Sequence, residues 1–399
     1  MTGRTCVVLL VVLLGLGLMV SPVHASVSPF WQPLGGSTTG KGISQLNLPT
    51  DIFDVSVAVD ANGRPVVTYA VFANGDATQG DIVVKRWTGS AWQTLSASVG
   101  QGYLPQVRLS PTGEIFVAWL QTDVNGNSEI HLRKYDGTNF VALGTSDSPG
   151  GITGTNPFIT FPFSLAIDSN GRPIVAFLAG AVTGITNVSF TPALIDTTLQ
   201  VYVRRWDGSA WQFVGSNFTG GGASNALSFK GTFGSDTVDL THSVDMPTLT
   251  LDSSGAPVVA FEYVTQFADL HVDNRDIYVT RWNGSAWVAV GPAVPTSDGP
   301  AAQGGAGGVS NSDNPSTNPS IAALSGGGLA LAWEEESSDG SSSYVWVRVW
   351  NGTNWTAHPA NSATGTSFNK PNTNNTISVT TRVTISMSIL HAAVPTRTR

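Results

Sequence analysis

A six-residue signature, in which two aromatic residues enclose a Gly followed by Ser or Thr, recurs five times along this chain. The copies begin at Trp87, Tyr135, Trp206, Trp282 and Trp350. A recurring unit that cannot bury its apolar face alone stacks on neighbouring copies of itself. The sequence therefore predicts a fold built from internal repeats.

A second recurring segment precedes the signature and consists of a turn between two apolar stretches. Its clearest copies turn at Asp60, Asp168 and Asp252, with apolar residues alternating on both sides. Such alternation predicts two antiparallel strands with one buried face, which we name strands A and B of each unit. The Asp side chain is expected to accept hydrogen bonds from the N–H groups of its own turn, and Gly63 is expected to adopt a positive φ.

Two more strands are predicted around the aromatic signature. The segment that ends at Trp87 alternates Ile and Val with charged residues, which predicts strand C with Lys and Arg facing solvent. A short apolar segment after the signature predicts strand D. The spacing of strand C also places His131 among the polar positions of its strand.

Four-stranded antiparallel units repeated along a chain are typical of a β-propeller. A sandwich would not repeat its turn chemistry five times, and a β-helix would need shorter coils. The predicted fold class is therefore all-β, a β-propeller of four-stranded antiparallel blades with five complete units plus an incomplete sixth.

Three regions are predicted along the chain. Residues 1–25 have the features of a secretory signal peptide, with Arg4 ahead of an apolar stretch and Ala25 at the cleavage point. Residues 30–358 contain the propeller repeats, beginning with a lone strand D, and 359–399 form an irregular or incomplete closing blade or tail. The repeat pattern is lost near the end of the chain. A truncated or frameshifted reading frame and a naturally irregular closing blade both remain open.

The composition favours an exported protein that binds neither nucleic acid nor, after signal cleavage, a membrane. Charged residues make up 12% of the chain, its net charge is −8, and no Lys or Arg run is present. The single cysteine, Cys6, lies within the predicted signal peptide, so the exported chain depends on a large core rather than on disulfides. The expected location is secreted, extracellular or periplasmic, and the oligomeric state is not indicated.

Long connections are predicted at one end of the blades only. The A-to-B and C-to-D turns are short, whereas the B-to-C and D-to-A connections include long segments at 179–199, 216–245, 265–275 and 292–318. Connections of this length in a compact domain are usually functional or disordered. We therefore expect this end to bind the partner, which is predicted to be a glycan or a protein.

The candidate ligand-binding residues at this end are Asp54, His242, Asp245, Glu262 and Glu334. Each adjoins the predicted start of strand A or the end of strand B. Carboxylates there could bind Ca²⁺ or sugar hydroxyls, or act as an acid and base pair. The alternative is that they only solubilise a surface rich in Gly and Ser.

No cofactor is predicted, and Ca²⁺ at one B-to-C loop is the single metal hypothesis. The loop offers oxygen side chains at alternate positions, in Asp123, Asn125, Asn127 and Glu129. It lacks the residue order of an EF-hand loop, and Asn-Gly-Asn is also a good turn sequence. The aromatic pairs of the signature have two interpretations as well, as sugar-stacking platforms or, in better agreement with their fixed place, as packing between blades.

The units resemble the repeats of secreted bacterial β-propeller proteins and, more distantly, sialidase-like propellers with Asp-box turns. The Asp-box order Ser-x-Asp-x-Gly-x-x-Trp is not reproduced, because the turn at Asp60 has one more residue between Asp and Gly and no matching Trp. Arg64 and Arg172 follow the tight turns, at the wrong end for an arginine cluster. The resemblance therefore implies an architecture and does not transfer a catalytic set.

Two functions are consistent with these patterns. The first is an extracellular, non-catalytic binding or interaction propeller that recognises a glycan or protein through the end with long connections. The alternative is a propeller-fold glycoside hydrolase or lyase that uses carboxylates such as Glu262 and Glu334, which requires two carboxyl groups in one pocket. A nonfunctional fragment is a third interpretation.

Overall fold

A computed structural model describes residues 33–46, 50–73, 79–154, 159–186, 194–218, 222–224, 229–233, 236–267, 272–292, 307–338 and 340–357. Every regular element in these ranges is a β-strand, as predicted. Among them no helix is long and apolar enough to cross a membrane. The predicted signal peptide, 1–25, and the predicted tail, 359–399, lie outside the described residues.

Five four-stranded antiparallel sheets follow one another along the chain, each with its strands in the order A, B, C, D. The first two contain β1 (Thr50–Val59), β2 (Pro65–Ala73), β3 (Gly80–Trp87), β4 (Trp92–Ser96), and β5 (Gln101–Leu109), β6 (Ile115–Thr122), β7 (Ser128–Tyr135), β8 (Phe140–Ala142). The third contains β9 (Ile159–Ile167), β10 (Pro173–Thr186), β11 (Leu194–Trp206) and β12 (Trp211–Phe213).

The fourth sheet has an additional strand, β13 (Phe229–Phe233), paired with the start of β14 (Asp236–Leu251), and continues with β15 (Pro257–Phe267), β16 (Val272–Trp282) and β17 (Trp287–Ala289). The fifth contains β18 (Ser316–Ala323), β19 (Leu329–Glu336), β20 (Ser343–Trp350) and β21 (Trp355–Ala357). The first and second sheets are also joined by a short pairing of β3 with β5. The five predicted four-stranded units are therefore present.

The described residues divide into two compact units. The smaller comprises 33–46 and 87–93, and the larger comprises the rest. Within the smaller unit, the indole N–H of Trp92 donates a 2.9 Å hydrogen bond to the Leu34 carbonyl, and the ring of Trp87 lies against Gly35.

The A-to-B turns form as the sequence predicts. Asp60 Oδ1 accepts hydrogen bonds from the backbone N–H groups of Asn62 and Arg64 at 2.9 and 2.8 Å, and Gly63 has a φ of 73°. Asp168 and Asp252 make the same pair of bonds in their own turns. These aspartates are turn residues, and the prediction is confirmed.

The C-to-D turns have a matching device that the sequence analysis did not single out. The side-chain oxygen of the residue after the first aromatic of the signature accepts hydrogen bonds from the backbone N–H groups two and three residues later. The residues are Thr88, Asp136, Asp207, Asn283 and Asn351. For Asp207 these bonds, led by those from Ala210 and Ser209, lower the pKa to about 2.

Consecutive sheets of the larger unit pack face to face, as the blades of a β-propeller do. Buried apolar side chains fill the space between each sheet and the next: Val84 belongs to one cluster with Val107 and Trp119, and Ile277 to another with Leu331 and Trp333. Because each sheet buries apolar residues on a neighbour, the repeat unit depends on its copies for stability.

The aromatic signature also joins neighbouring sheets. The indole N–H groups of Trp211, Trp287 and Trp355 donate to the carbonyls of Leu143, Val214 and Val290, respectively, at 2.8 to 3.0 Å. Each acceptor belongs to the end of strand D, or the residue just after it, in the preceding sheet. The interpretation of these aromatics as packing between blades is confirmed.

The prediction that the arginines of strand C face solvent is wrong at three positions. Arg133, Arg204 and Arg348 are half-buried and donate to backbone carbonyls of the D-to-A connection that leads from the preceding sheet into their own sheet. Burial lowers the pKa of the Arg204 and Arg348 guanidinium groups. The long side chain lets the guanidinium reach beyond its own strand and bond a carbonyl of that connection.

The predicted long connections are, in large part, extended strands. Residues 179–186 belong to β10 and residues 194–199 to β11, which pair out to Thr186 and Leu194, and β15 and β16 pair out to Phe267 and Val272. Residues 216–245 include the hairpin of β13 and β14. Both arms of the β10–β11 hairpin contain Thr, Val or Ile, which favour strands, whereas periodicity within one strand does not reveal its pairing with another. The extensions lie at the end of the sheets where the long connections were expected.

Candidate functional site

A β-bulge interrupts strand A in every sheet. The pairing shifts between Thr160 and Phe163 in β9, and near Asp54 in β1, Leu104 in β5, Met246 in β14 and Asn318 in β18. The last four residues have a φ between 46° and 57°. Non-Gly residues rarely adopt this conformation, and bulges re-aim a side chain out of the ladder. At Asn318 the amide side chain is exposed while its backbone N–H faces the fourth sheet.

Glu262 on β15 is the buried centre of the candidate site. Its side chain is 1% exposed. One carboxylate oxygen accepts the backbone N–H of Asn318 at 2.7 Å, and the other accepts Arg275 Nη1 at 2.9 Å. Burial raises the pKa of Glu262, and the negative charge of Asp245, its partner across the strand pair, acts in the same direction.

Glu334 on β19 reaches the same asparagine from the fifth sheet. Its Oε2 accepts the side-chain amide of Asn318 at 3.2 Å. A single residue of the bulge therefore bonds Glu262 through its backbone and Glu334 through its side chain. Three predicted residues, Asp245, Glu262 and Glu334, are brought together, and the sequence analysis missed the two that complete the group, Asn318 and Arg275.

The repeats show that the fold does not require these glutamates. Counted from the A-to-B turn, Glu262 and Glu334 occupy the same position of strand B in successive units. The first three units have Ala70, Leu120 and Leu178 there, all fully buried. Burying a carboxyl group costs free energy unless it is paired and hydrogen-bonded. The fourth unit thus replaces a good core residue with a costly one, and the fifth has a half-exposed carboxylate at the same position, which favours a functional role.

The members of the group differ in their access to solvent. Glu262 is buried, Asp245 and Glu334 are half-exposed, and Asn318 is exposed. We call Asp245, Asn318 and Glu334 the carboxylate edge. Its oxygens accept hydrogen bonds from hydroxyl groups, and the amide of Asn318 can both donate and accept.

The other two predicted ligand-binding residues are placed differently. Asp54 lies in the bulge of β1, where its Oδ2 accepts the backbone N–H of Leu104 at 3.0 Å and so links the first and second sheets. His242 lies on β14, paired with Thr265, three residues before Asp245. The side chain of His242 lies outside the described part of the structure.

The proposed calcium-binding loop is organised by its own donors. Asp123 Oδ1 accepts the N–H groups of Asn125 and Asn127 at 2.8 Å each, and Oδ2 accepts both side-chain amides. Glu129 instead accepts the N–H of Gly150 at 2.7 Å and contacts His131. Among the described residues no group of three or more His, Cys, Asp or Glu has metal-binding geometry. The turn interpretation accounts for every polar contact of Asp123.

His131 is not at a solvent-facing position, contrary to the prediction from the strand pattern. It is 3% exposed and stacks on Trp119 with ring centroids 5.8 Å apart. Its Nε2 lies 3.1 Å from Glu129 Oε2, and its Nδ1 lies 3.6 Å from Asp147 Oδ1. The same position of strand C is aromatic in the three later units, at Tyr202, Tyr278 and Trp346. His131 therefore fills an aromatic packing position.

Comparisons with known proteins identify solved structures and no family. No protein-family model and no curated protein matches the chain. A protein of unknown function from Dyadobacter fermentans matches at 11% identity and a TM-score of 0.43, covering 76% of this chain and 80% of that one. An endo-arabinase from Bacteroides thetaiotaomicron matches at 13% identity and 0.37, covering 79% and 96%.

An ulvan lyase, from a polysaccharide lyase family, matches at 14% identity and a TM-score of 0.45, covering 76% of this chain and 68% of that one. At these identities and scores, what those proteins bind or cleave has no bearing on this chain. The class of molecule follows from its own coordinates: an all-β repeat protein whose four-stranded antiparallel sheets pack in chain order, with a carboxylate edge between the fourth and fifth.

Proposed function

We propose that the chain is an extracellular, non-catalytic binding protein of β-propeller architecture, with the five sheets as blades and an incomplete sixth, and that it recognises a neutral glycan at the carboxylate edge. The observation that supports this most directly is the replacement of Ala70, Leu120 and Leu178 by Glu262 and Glu334 in two adjacent units. Export follows from the predicted signal peptide.

The chemistry of the edge favours a neutral, hydroxyl-rich ligand. Two half-exposed carboxylates accept hydrogen bonds from hydroxyl groups, and charged acceptors make stronger bonds than neutral ones. An acidic polysaccharide would place its own carboxylates against Asp245 and Glu334, which like-charge repulsion opposes. A chain with a net charge of −8 adds to that repulsion.

A glycoside hydrolase or lyase is the second candidate function, because burial raises the pKa of Glu262 in the direction that a general acid requires. Its geometry favours binding instead. At 1% exposure, and with both carboxylate oxygens engaged by Asn318 and Arg275, Glu262 does not reach a substrate in this structure. Its place beneath the edge suits a residue that holds Asn318 in position. Release of new reducing ends from a neutral polysaccharide by a hydrolase, or from a uronate-containing one by a lyase, abolished in Glu262→Gln, would favour the enzyme.

A glycan array probed with the exported chain, followed by calorimetric titration of the strongest glycan, tests the binding proposal. The test variants are Asp245→Asn with Glu334→Gln, and Asn318→Gly, which tolerates the positive φ and keeps the backbone bond to Glu262. Loss of one or two hydrogen bonds should weaken binding about tenfold or more. A blank array would oppose recognition of a glycan and leave a protein partner as the occupant.

A charge-matched control removes two carboxylates at the opposite end of the sheets. Asp136→Asn with Asp207→Asn places Asn in turns where Asn283 and Asn351 already serve in other units. This control should keep the parent affinity. Equal loss in the control and in the edge variants would show an effect of net charge and would contradict a site at the edge.

A further inference from the structure

A second concave site lies between the fourth and fifth sheets, separate from the carboxylate edge. It is a cavity of about 460 Å³ bounded by the residues that follow strand D of the fourth sheet and by the C-to-D turn of the fifth. Ligand pockets in proteins typically have volumes of about 300 to 1,000 Å³. The cavity has the dimensions of a small saccharide.

Its walls combine aromatic surface with amide groups. Trp350 and Trp355 line one side, with ring centroids 5.5 Å apart, and Arg348, Asn311 and Asn354 line the cavity as well. Trp355 donates its indole N–H to Val290, so that ring is fixed in place. Among the described residues, the side-chain amides of Asn311 and Asn354 have no hydrogen-bond partner. An aromatic wall with nearby amides suits a ring that has one apolar face and a hydroxyl rim.

The internal repeats separate the residues that build the fold from those that the cavity adds. Asn354 occupies the position that Ala91, Ala210 and Ala286 occupy in three other units. Asn311 lies just before the fifth sheet, at the position that Gly154 occupies before the third. Asn311 and Gly154 make equivalent backbone bonds, to Gly307 and Gly150, which confirms the correspondence. Neither amide is therefore needed to form the turn in which it lies.

The neighbourhood of Arg348 also differs from its counterpart in the third sheet. There Phe213 lies across the strand pair from Arg204 and covers its guanidinium, 4.5 Å from the ring centroid. In the fifth sheet the residue paired with Arg348 is the small Ala357. Arg348 bonds the Val309 carbonyl through Nη1 at 2.7 Å and lines the cavity. The Arg348 guanidinium lies near the ring of Trp333 instead, 5.9 Å from its centroid.

We propose that this cavity is a saccharide-binding site, in which the pyranose ring of a neutral sugar packs on Trp350 and its hydroxyls bond Asn311, Asn354 and Arg348. The site is independent of the carboxylate edge. The chain then has two glycan-binding sites, the cavity and the carboxylate edge. Binding of one polymeric glycan at both sites raises its apparent affinity.

The test replaces residues of the cavity with those that other units of the chain have at the same positions. Asn311→Gly with Asn354→Ala restores the residues of the sister units and is expected to leave the melting temperature unchanged. Asn139→Ala is the matched control, because Asn139 occupies the position of Asn354 in the second sheet. Both are compared with the parent on an array of neutral pyranose glycans, and each glycan that binds is titrated by calorimetry.

The double variant should bind at least one arrayed glycan about tenfold more weakly than the parent, whereas Asn139→Ala should retain parent affinity. The same titration with Asp245→Asn and Glu334→Gln separates the two sites. Glycan binding that is lost only in this carboxylate variant overturns the cavity proposal and leaves the carboxylate edge standing. An array without any pyranose binder, or a double variant with parent affinity throughout, overturns it too.

Discussion

Glu262 shows at the scale of one residue how a repeat can be altered for binding without loss of the fold. Its carboxyl group lies where other units bury Ala or Leu, and it is tolerated because Asn318 and Arg275 supply hydrogen bonds. Burial nevertheless dominates and raises the pKa of Glu262. The residue therefore costs stability when it is ionised.

This gives a pH-dependent prediction. Because the pKa of Glu262 in the folded state lies above its ordinary value of 4.5, the folded protein holds the proton more tightly than the unfolded chain. The contribution of Glu262 to stability is complete below that ordinary value and is lost as the pH rises through the folded-state pKa. Melting temperatures of the parent and of Glu262→Gln are measured from pH 4 to pH 8. The melting temperature of the parent should fall relative to that of the variant as the pH rises. A melting temperature of the parent that rises relative to that of the variant with increasing pH would contradict the raised pKa of Glu262.

Part of the site was within reach of sequence reasoning. Asp245, Glu262 and Glu334 could be selected because each adjoins a strand end on the side of the long connections. Asn318 could not, since a bulge and a positive φ leave little mark on the amino-acid pattern. Alignment of the units on the A-to-B turn was the available signal, because it shows Glu in two units where Ala or Leu stands in three.

At the scale of the element, the contact between one sheet and the next depends on a glycine that follows strand D. A Cβ added to Gly215 would lie 2.8 Å from Trp287 Nε1, and its φ is 95°. Gly255, in an A-to-B turn, has a φ of 80° but open space around it. An alanine at either position would have a strained backbone, but only at Gly215 would its Cβ collide with an indole ring.

Ala at either position should cost about 1 kcal/mol for the positive φ. Gly215→Ala should lose about 1 to 3 kcal/mol more, because the added methyl displaces Trp287 and strains its bond to Val214. Thermal and urea unfolding of both variants measure the difference. Similar losses at the two glycines would mean that the indole does not hold the sheets together.

Strand identity and turn chemistry were predictable because apolar alternation and Asp-x-x-Gly turns are local. Strand length was not, since β10 and β11 extend beyond their expected ends by pairing with each other. The arginines of strand C were misplaced for a related reason. Whether Arg204 points to solvent or to the Ile152 carbonyl depends on the connection from the preceding sheet, which alternation within one strand does not describe.

At the scale of the whole molecule, we propose an exported chain whose repeated β structure has no cysteine after residue 25. Without disulfides, stability comes from the apolar layers between sheets. The predicted signal peptide is tested by expressing the full chain in a secreting bacterial host and measuring the intact mass of the exported protein. The mass should correspond to a chain that begins at Ser26, whereas export of a chain that retains Met1 would contradict the prediction.

The central claim is that the carboxylate edge binds a neutral glycan. A crystal structure of the exported chain soaked with the strongest glycan from the array tests it most directly and also shows how many blades the propeller has. We predict glycan hydroxyls within hydrogen-bond distance of Asp245, Asn318 and Glu334. A glycan found only elsewhere, with these three residues free of it, would contradict the claim.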